Sequence, residues 1–165
     1  MTPAQTAFLT ALAAILALVG AFGLFVVIRA RRASRVPATS ILGRLGRPSV
    51  ARLELHRWAF YAHRTGGLAI LSFLALHLID VGLVALSPAL YDEVHFLYGT
   101  PMLRAFEVGL LAAILFHALD GLRLLVLDLV DVGWRMSERL LWLAAVLTVA
   151  LTIPAAVLIL GPAFT

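Results

Sequence analysis

Long unbroken apolar runs, separated by short polar stretches, set the pattern of this chain. They lie near Ala7–Ile28, Ala59–Leu86, Met102–Leu127 and Leu140–Leu160. A membrane span needs about 20 apolar residues at a rise of about 1.5 Å each, so all four runs are long enough. Continuous runs read as helices, because a spanning strand would alternate apolar and polar positions. The pattern predicts an all-α integral membrane protein with four transmembrane helices in one compact unit. Between the first two runs, Pro37, Gly43, Gly46 and Pro48 act as breakers, and residues 31–57 read as a linker. Within it, "SVARLELHRW" is composed to lie along a membrane surface as a short amphipathic helix. Pro154 is expected to kink or loosen the fourth span, which membrane helices tolerate.

Composition supports this reading. Of the 165 residues 62% are hydrophobic and 13% charged, against about 25% charged in soluble domains. Mean hydropathy is +1.02. Every basic side chain is arginine. Nine of them fall between Arg29 and Arg64, and Arg123, Arg135 and Arg139 flank the third turn. The loop at 87–101 is followed only by Arg104 and carries Asp92 and Glu93. By the positive-inside rule, both arginine-rich connections are cytoplasmic, and the two termini and the 87–101 loop are outside. The net charge of +4 is thus a topology signal, and a nucleic-acid partner is not expected. "MTPAQT" lacks the positive flank of a cleaved signal peptide, so the first span reads as a retained signal-anchor.

The chain has no cysteine, which excludes disulfides and all-cysteine iron–sulfur clusters. It has no glycine-rich phosphate fingerprint. An electron carrier would have to be one that histidine ligates, or a small molecule of the membrane. Haem and quinone fit both limits.

The segment "FHALDGLRLLVLD", residues 116–128, places ionisable groups inside a span. Each costs roughly 2.5–3.5 kcal/mol on insertion scales, so a role is expected. At 100° per residue His117, Gly121, Leu124 and Asp128 form one stripe. Gly121, a turn from His117, would leave room for a flat macrocycle beside the imidazole. Asp120 and Arg123, three apart, form a pair on a neighbouring face that supports the site. In the second span, His63, Gly66 or Gly67, Ile70, Leu74 and His77 share a face. Arg64 at the entry reads as a topology anchor, or as a group for a haem propionate or quinone carbonyl. His77 lies about 21 Å along the helix from His63, and His117 about 16 Å from Asp128. Ligation of one haem by His77 and His117 together fits these depths, as does separate ligation.

"AHRTGG" followed by "HALDGLRLLVLD" resembles the cytochrome b membrane-anchor subunit of succinate dehydrogenase, complex II. That family has His-Arg-x-[Ser/Thr]-Gly at the start of its first core span and His-x-x-x-Gly-x-Arg-x-x-x-x-Asp in the second. Here these fall on His63, Arg64, Gly66 or Gly67, and on His117, Gly121, Arg123 and Asp128. "RWAFYAHRTGG" and "ALYDEV" are similar to the branch in thermophilic and high-GC bacteria. The likeness covers about residues 57–142.

The resemblance implies a haem b and quinone-binding anchor of succinate:quinone oxidoreductase in a bacterial cytoplasmic membrane. It implies three core helices over residues 58–165, with residues 1–30 an extra N-terminal span and 31–57 a cytoplasmic linker. It implies His117 as axial ligand of a haem b shared with a second anchor subunit, within a pocket that includes Gly121 and Arg123. His77 stands where branches with two haems have the distal iron ligand. His63 and Arg64 would line the region where the headgroup of a menaquinone or ubiquinone meets the haem propionates. The best-studied members have serine where Phe60 stands, so Phe60 and Tyr61 become quinone-site residues, with Thr65 and Ser72 as further hydroxyls. Flavoprotein and iron–sulfur subunits would do the succinate chemistry, no residue of this chain being catalytic, and a trimer of the whole complex is compatible. Fumarate reductase is the same architecture run backwards. Two other classes compete: a haem-free membrane scaffold in which the histidines only join helices, and a stand-alone cytochrome.

Other polar residues have plainer readings. His95 reads as a solvated loop residue and His56 as an interfacial one. Asp80 would support His77, or else face the outer headgroups. Glu107 reaches outwards, and Trp58, Trp134 and Trp142 mark interfaces.

Overall fold

A computed structural model of the chain describes residues 1–33, 48–130 and 133–163. Among the described residues five α-helices carry the fold: α1 (Pro3–Ala33), α2 (Pro48–Leu86), α3 (Pro88–His95), α4 (Pro101–Leu129) and α5 (Trp134–Leu160). A 3-10 turn at Phe96–Gly99 joins α3 to α4, and another at Gly161–Ala163 ends the described chain. Among the described residues four segments are long and apolar enough to cross a membrane: Pro3–Arg29, Leu55–Leu86, Pro101–Leu129 and Trp134–Leu160. All four predicted spans are therefore present as helices.

The helix starts follow local chemistry. Thr2 and Gln5 close a reciprocal box: the Gln5 N–H donates to Thr2 Oγ1 (3.3 Å) and the Thr2 N–H to Gln5 Oε1 (3.1 Å). Ser87 caps α3 by accepting from the Leu90 N–H. Pro3, Pro48, Pro88 and Pro101 each open a helix, where a missing N–H costs nothing. Hydroxyls of Thr6, Thr10, Thr148 and Thr152 donate to carbonyls four residues back, which satisfies them in an apolar medium.

Two segments differ from the sequence reading. Of the predicted 31–57 linker, residues 34–47 lie outside the described residues. From Pro48 onwards the chain is already helical and runs unbroken into the second span, so "SVARLELHRW" continues α2. The 87–101 connection is also helical and folds back on the bundle, burying Val94 and Leu97. Helix α5 continues through Pro154.

Packing is polarised along the bundle. At one end Leu12, Leu76, Leu97 and Leu103 form a buried cluster, flanked by Phe8, Ile15 and Phe106. It joins α1, α2, the 3-10 turn and α4. There Gln5 Nε2 donates to the Glu93 carbonyl (3.1 Å) and Phe8 packs on Tyr98, while Arg104 Nη1 donates to the Ile159 carbonyl (2.8 Å). The extra helix α1 is thus docked against α2 and α3. Below this cluster, Leu16, Val19, Ala69, Phe73, Leu110 and others line an apolar cavity of about 250 Å³ between α1, α2 and α4. Asp80 of α2 is buried near this cluster, whereas the buried Asp120 and Arg123 of α4 lie further along, towards the opposite end.

Candidate functional site

α2 and α4 run antiparallel and approach closely where small residues allow it, as membrane helices do. A Cβ on Gly66 would meet the Ala113 carbonyl at 3.7 Å. One turn away, the imidazoles of His63 and His117 stack with centroids 4.0 Å apart and planes inclined by 22°. Each ring rests on a glycine of the other helix. A Cβ on Gly67 would lie 2.8 Å from His117 Cε1, whereas one on Gly121 would lie 3.5 Å from His63 Cε1. The space left by Gly121 therefore receives the His63 ring, and Gly67 is the seat of His117. This differs from the macrocycle clearance that spacing along one helix suggested, because the register between the helices pairs each histidine with the other's glycine.

His117 Nδ1 lies 3.0 Å from the His63 carbonyl oxygen. A carbonyl only accepts, so Nδ1 carries the proton. In the neutral ring Nε2 then holds a free lone pair. A histidine whose other N–H goes to a backbone carbonyl is the usual arrangement of a metal-ligating imidazole. The residues present therefore fit a haem b iron at His117 Nε2. Among the described residues no group of three or more His, Asp or Glu gathers as a bare-ion site would need.

Asp120 is fully buried and Arg123 is 7% exposed. Arg123 Nε donates to Asp120 Oδ1 at 2.7 Å, and Nη1 reaches Ser137 Oγ on α5 at 3.5 Å. The expected i,i+3 pair is present. It faces the bundle interior, however, while Leu124 and Asp128 of the predicted stripe are exposed. Asp120 Oδ2 lies 3.2 Å from His63 Nδ1, without the alignment of a hydrogen bond. Ser137 and the Asp120–His63 approach are the parts that sequence reading missed. Nothing in the residue order signals them, since both depend on how helices are rotated.

The remaining predicted residues separate into two places. Arg64 is exposed, with its guanidinium 4.3 Å over the Phe60 ring. Tyr61 contacts both Phe60 and Trp58. These four make a cationic aromatic patch outside the bundle, adjoining His63. His77 is also exposed and stacks on Phe73. It lies ten residues beyond Gly67, about 15 Å along α2, so the structure does not bring His77 and His117 together. Asp80 does not support His77 either. It is 4% exposed and accepts from the Tyr98 hydroxyl at 2.9 Å. His95 is exposed and packs on Tyr91.

Residues 44–158 match the family described as succinate dehydrogenase/fumarate reductase transmembrane subunit. The chain belongs to that family. Among its relatives is the succinate dehydrogenase 2 membrane subunit SdhC of Mycobacterium tuberculosis. It is 36% identical over 102 residues, 62% of this chain and 75% of that protein. Another is the succinate dehydrogenase hydrophobic membrane anchor subunit of Halobacterium salinarum, 32% identical over 92 residues, 55% of this chain and 70% of that protein. The succinate dehydrogenase family match takes in α2 to α5 with both histidine motifs, and α1 precedes it.

Proposed function

We propose that this chain is the haem b-binding anchor of a succinate:quinone oxidoreductase, and that it forms part of the quinone reduction site. The observation that carries the reading is the 3.0 Å contact of His117 Nδ1 with the His63 carbonyl, which leaves Nε2 free for iron. Haem b bound there supplies one-electron storage between the iron–sulfur subunit and quinone. The protein's part is to hold it. Gly67 seats the His117 ring and His63 stacks on its face. His77 is remote from His117, so any further histidine for that haem would have to come from a second anchor subunit.

Arg64 lies outside the bundle beside Phe60 and Tyr61. An exposed guanidinium among aromatic rings suits a flat headgroup with carbonyl oxygens. The arginine-rich connections support a cytoplasmic position for this end, where an iron–sulfur subunit would dock, with both termini outside. The membrane is then the bacterial cytoplasmic one. His77 is kept for a second, distal haem.

The test is Arg64→Ala in the whole purified complex. Reduction of a short-chain quinone by succinate should fall more than tenfold, the worth of one charge-assisted hydrogen bond. Reduction of a dye that takes electrons before the membrane should be retained. Equal loss of both would make Arg64 an assembly residue.

A further inference from the structure

The Asp120 carboxylate has one oxygen more than its arginine uses. Arg123 Nε takes Oδ1 at 2.7 Å. Oδ2 is buried and completes no hydrogen bond among the described residues. The same is true of His63 Nδ1, and the two atoms lie 3.2 Å apart. Orphaned polar atoms are rare in protein interiors, and two that face each other at near-bonding distance define a contact. In an apolar, water-free surrounding each unpaired group is especially costly.

The other edge of the His63 ring has a different situation. The side chain keeps 21% exposure although Nδ1 has none. Nε2 is its only other polar atom. One face of the ring stacks on His117, and its Cε1 edge lies over Gly121. What remains is a limited swing about its side-chain bonds, which one hydrogen bond at Nδ1 would restrict.

We propose that Asp120 is a positioning residue for His63: its Oδ2 accepts from Nδ1–H and aims Nε2 at the oxygen of a quinone headgroup. This rests on the quinone reading above. Arg123, anchored at Ser137 on α5, holds the carboxylate in turn. A chain of contacts from α5 through α4 to α2 thereby sets the direction of one imidazole.

The test is a double-mutant cycle in the assembled complex, with succinate and a short-chain quinone. Asp120→Asn keeps the shape and an acceptor for Arg123. It should raise the quinone KM roughly ten- to hundredfold, with haem content and dye reduction retained. On a His63→Ala background the same change should add nothing. Full additivity, or wild-type quinone kinetics in Asp120→Asn, would overturn the proposal. If His63→Ala itself left quinone kinetics unchanged, the quinone role of His63 would fall, and the proposal with it. Should Asp120→Asn fail to assemble, Asp120→Glu keeps the charge and shifts the carboxylate by one methylene. A raised quinone KM with haem retained would again support the role. Failure of both variants to assemble, with His63→Ala assembling normally, would leave Asp120 to Arg123 alone and overturn it.

Discussion

The carbonyl of His63 and the imidazole of His117 meet at 3.0 Å, and the two rings stack directly beside that contact. A backbone oxygen of one helix thereby fixes the tautomer of a side chain on the next. Both helices carry a histidine followed four residues later by glycine, His63–Gly67 and His117–Gly121. Because the helices are antiparallel, each glycine lies under the other's ring.

The two glycines should differ in tolerance. Gly67→Ala puts a methyl 2.8 Å from a ring carbon that is held by both a hydrogen bond and a stack. The His117 ring must move, at a cost of about 1–3 kcal/mol for overpacking. Gly121→Ala meets His63 at 3.5 Å, an ordinary contact. Haem content per complex should fall in Gly67→Ala and stay near wild type in Gly121→Ala. The reverse order would show that His117 is seated on its own helix's glycine.

Arg123→Ala should be among the most damaging changes. It leaves the fully buried Asp120 without its cation, and an uncompensated buried charge costs about 3–5 kcal/mol. Thermal unfolding in detergent should show the loss. The Asp120→Asn, Arg123→Leu double variant should recover part of it, because removing both partners removes the uncompensated charge. A double variant less stable than Arg123→Ala would contradict this.

At the other end of the bundle, Tyr98→Phe takes away the donor of Asp80 Oδ2, whose second oxygen already lacks a partner among the described residues. A loss of roughly 1–3 kcal/mol is expected. Burial pushes the Tyr98 hydroxyl above its ordinary value, and Asp80 adds to this by hydrogen bond and charge. The neutral phenol is therefore favoured in the folded state. Its contribution is fully present below pH about 10 and is lost as pH rises towards the folded-state value. Wild-type stability should decline above that pH more steeply than in Tyr98→Phe. Parallel curves would mean that Tyr98 is not coupled to Asp80.

Much of this was legible in the residue order. Four spans follow from apolar length alone, since a membrane helix must be apolar over its whole lipid-exposed surface. The Asp120–Arg123 pair follows from i,i+3 spacing, and the two histidine motifs lie on the helices whose imidazoles stack. What spacing could not supply was rotation and register between helices. It placed Gly121 beside His117 and Asp80 beside His77, taking each helix by itself. The back-folding of α3 and its 3-10 turn delivers Tyr98 to Asp80 from another segment. The contact of Gln5 with Glu93 was not legible either, because it spans 88 residues.

The central claim is that His117 carries a haem b iron. The most direct measurement is a dithionite-reduced-minus-oxidised spectrum, with haem quantified per complex, on wild type and His117→Ala. A b-type signal is expected in the wild type, with loss of the His117-bound haem in the variant and the complex still recoverable. Unchanged haem content in an assembled His117→Ala complex, or none in the wild type, would contradict it.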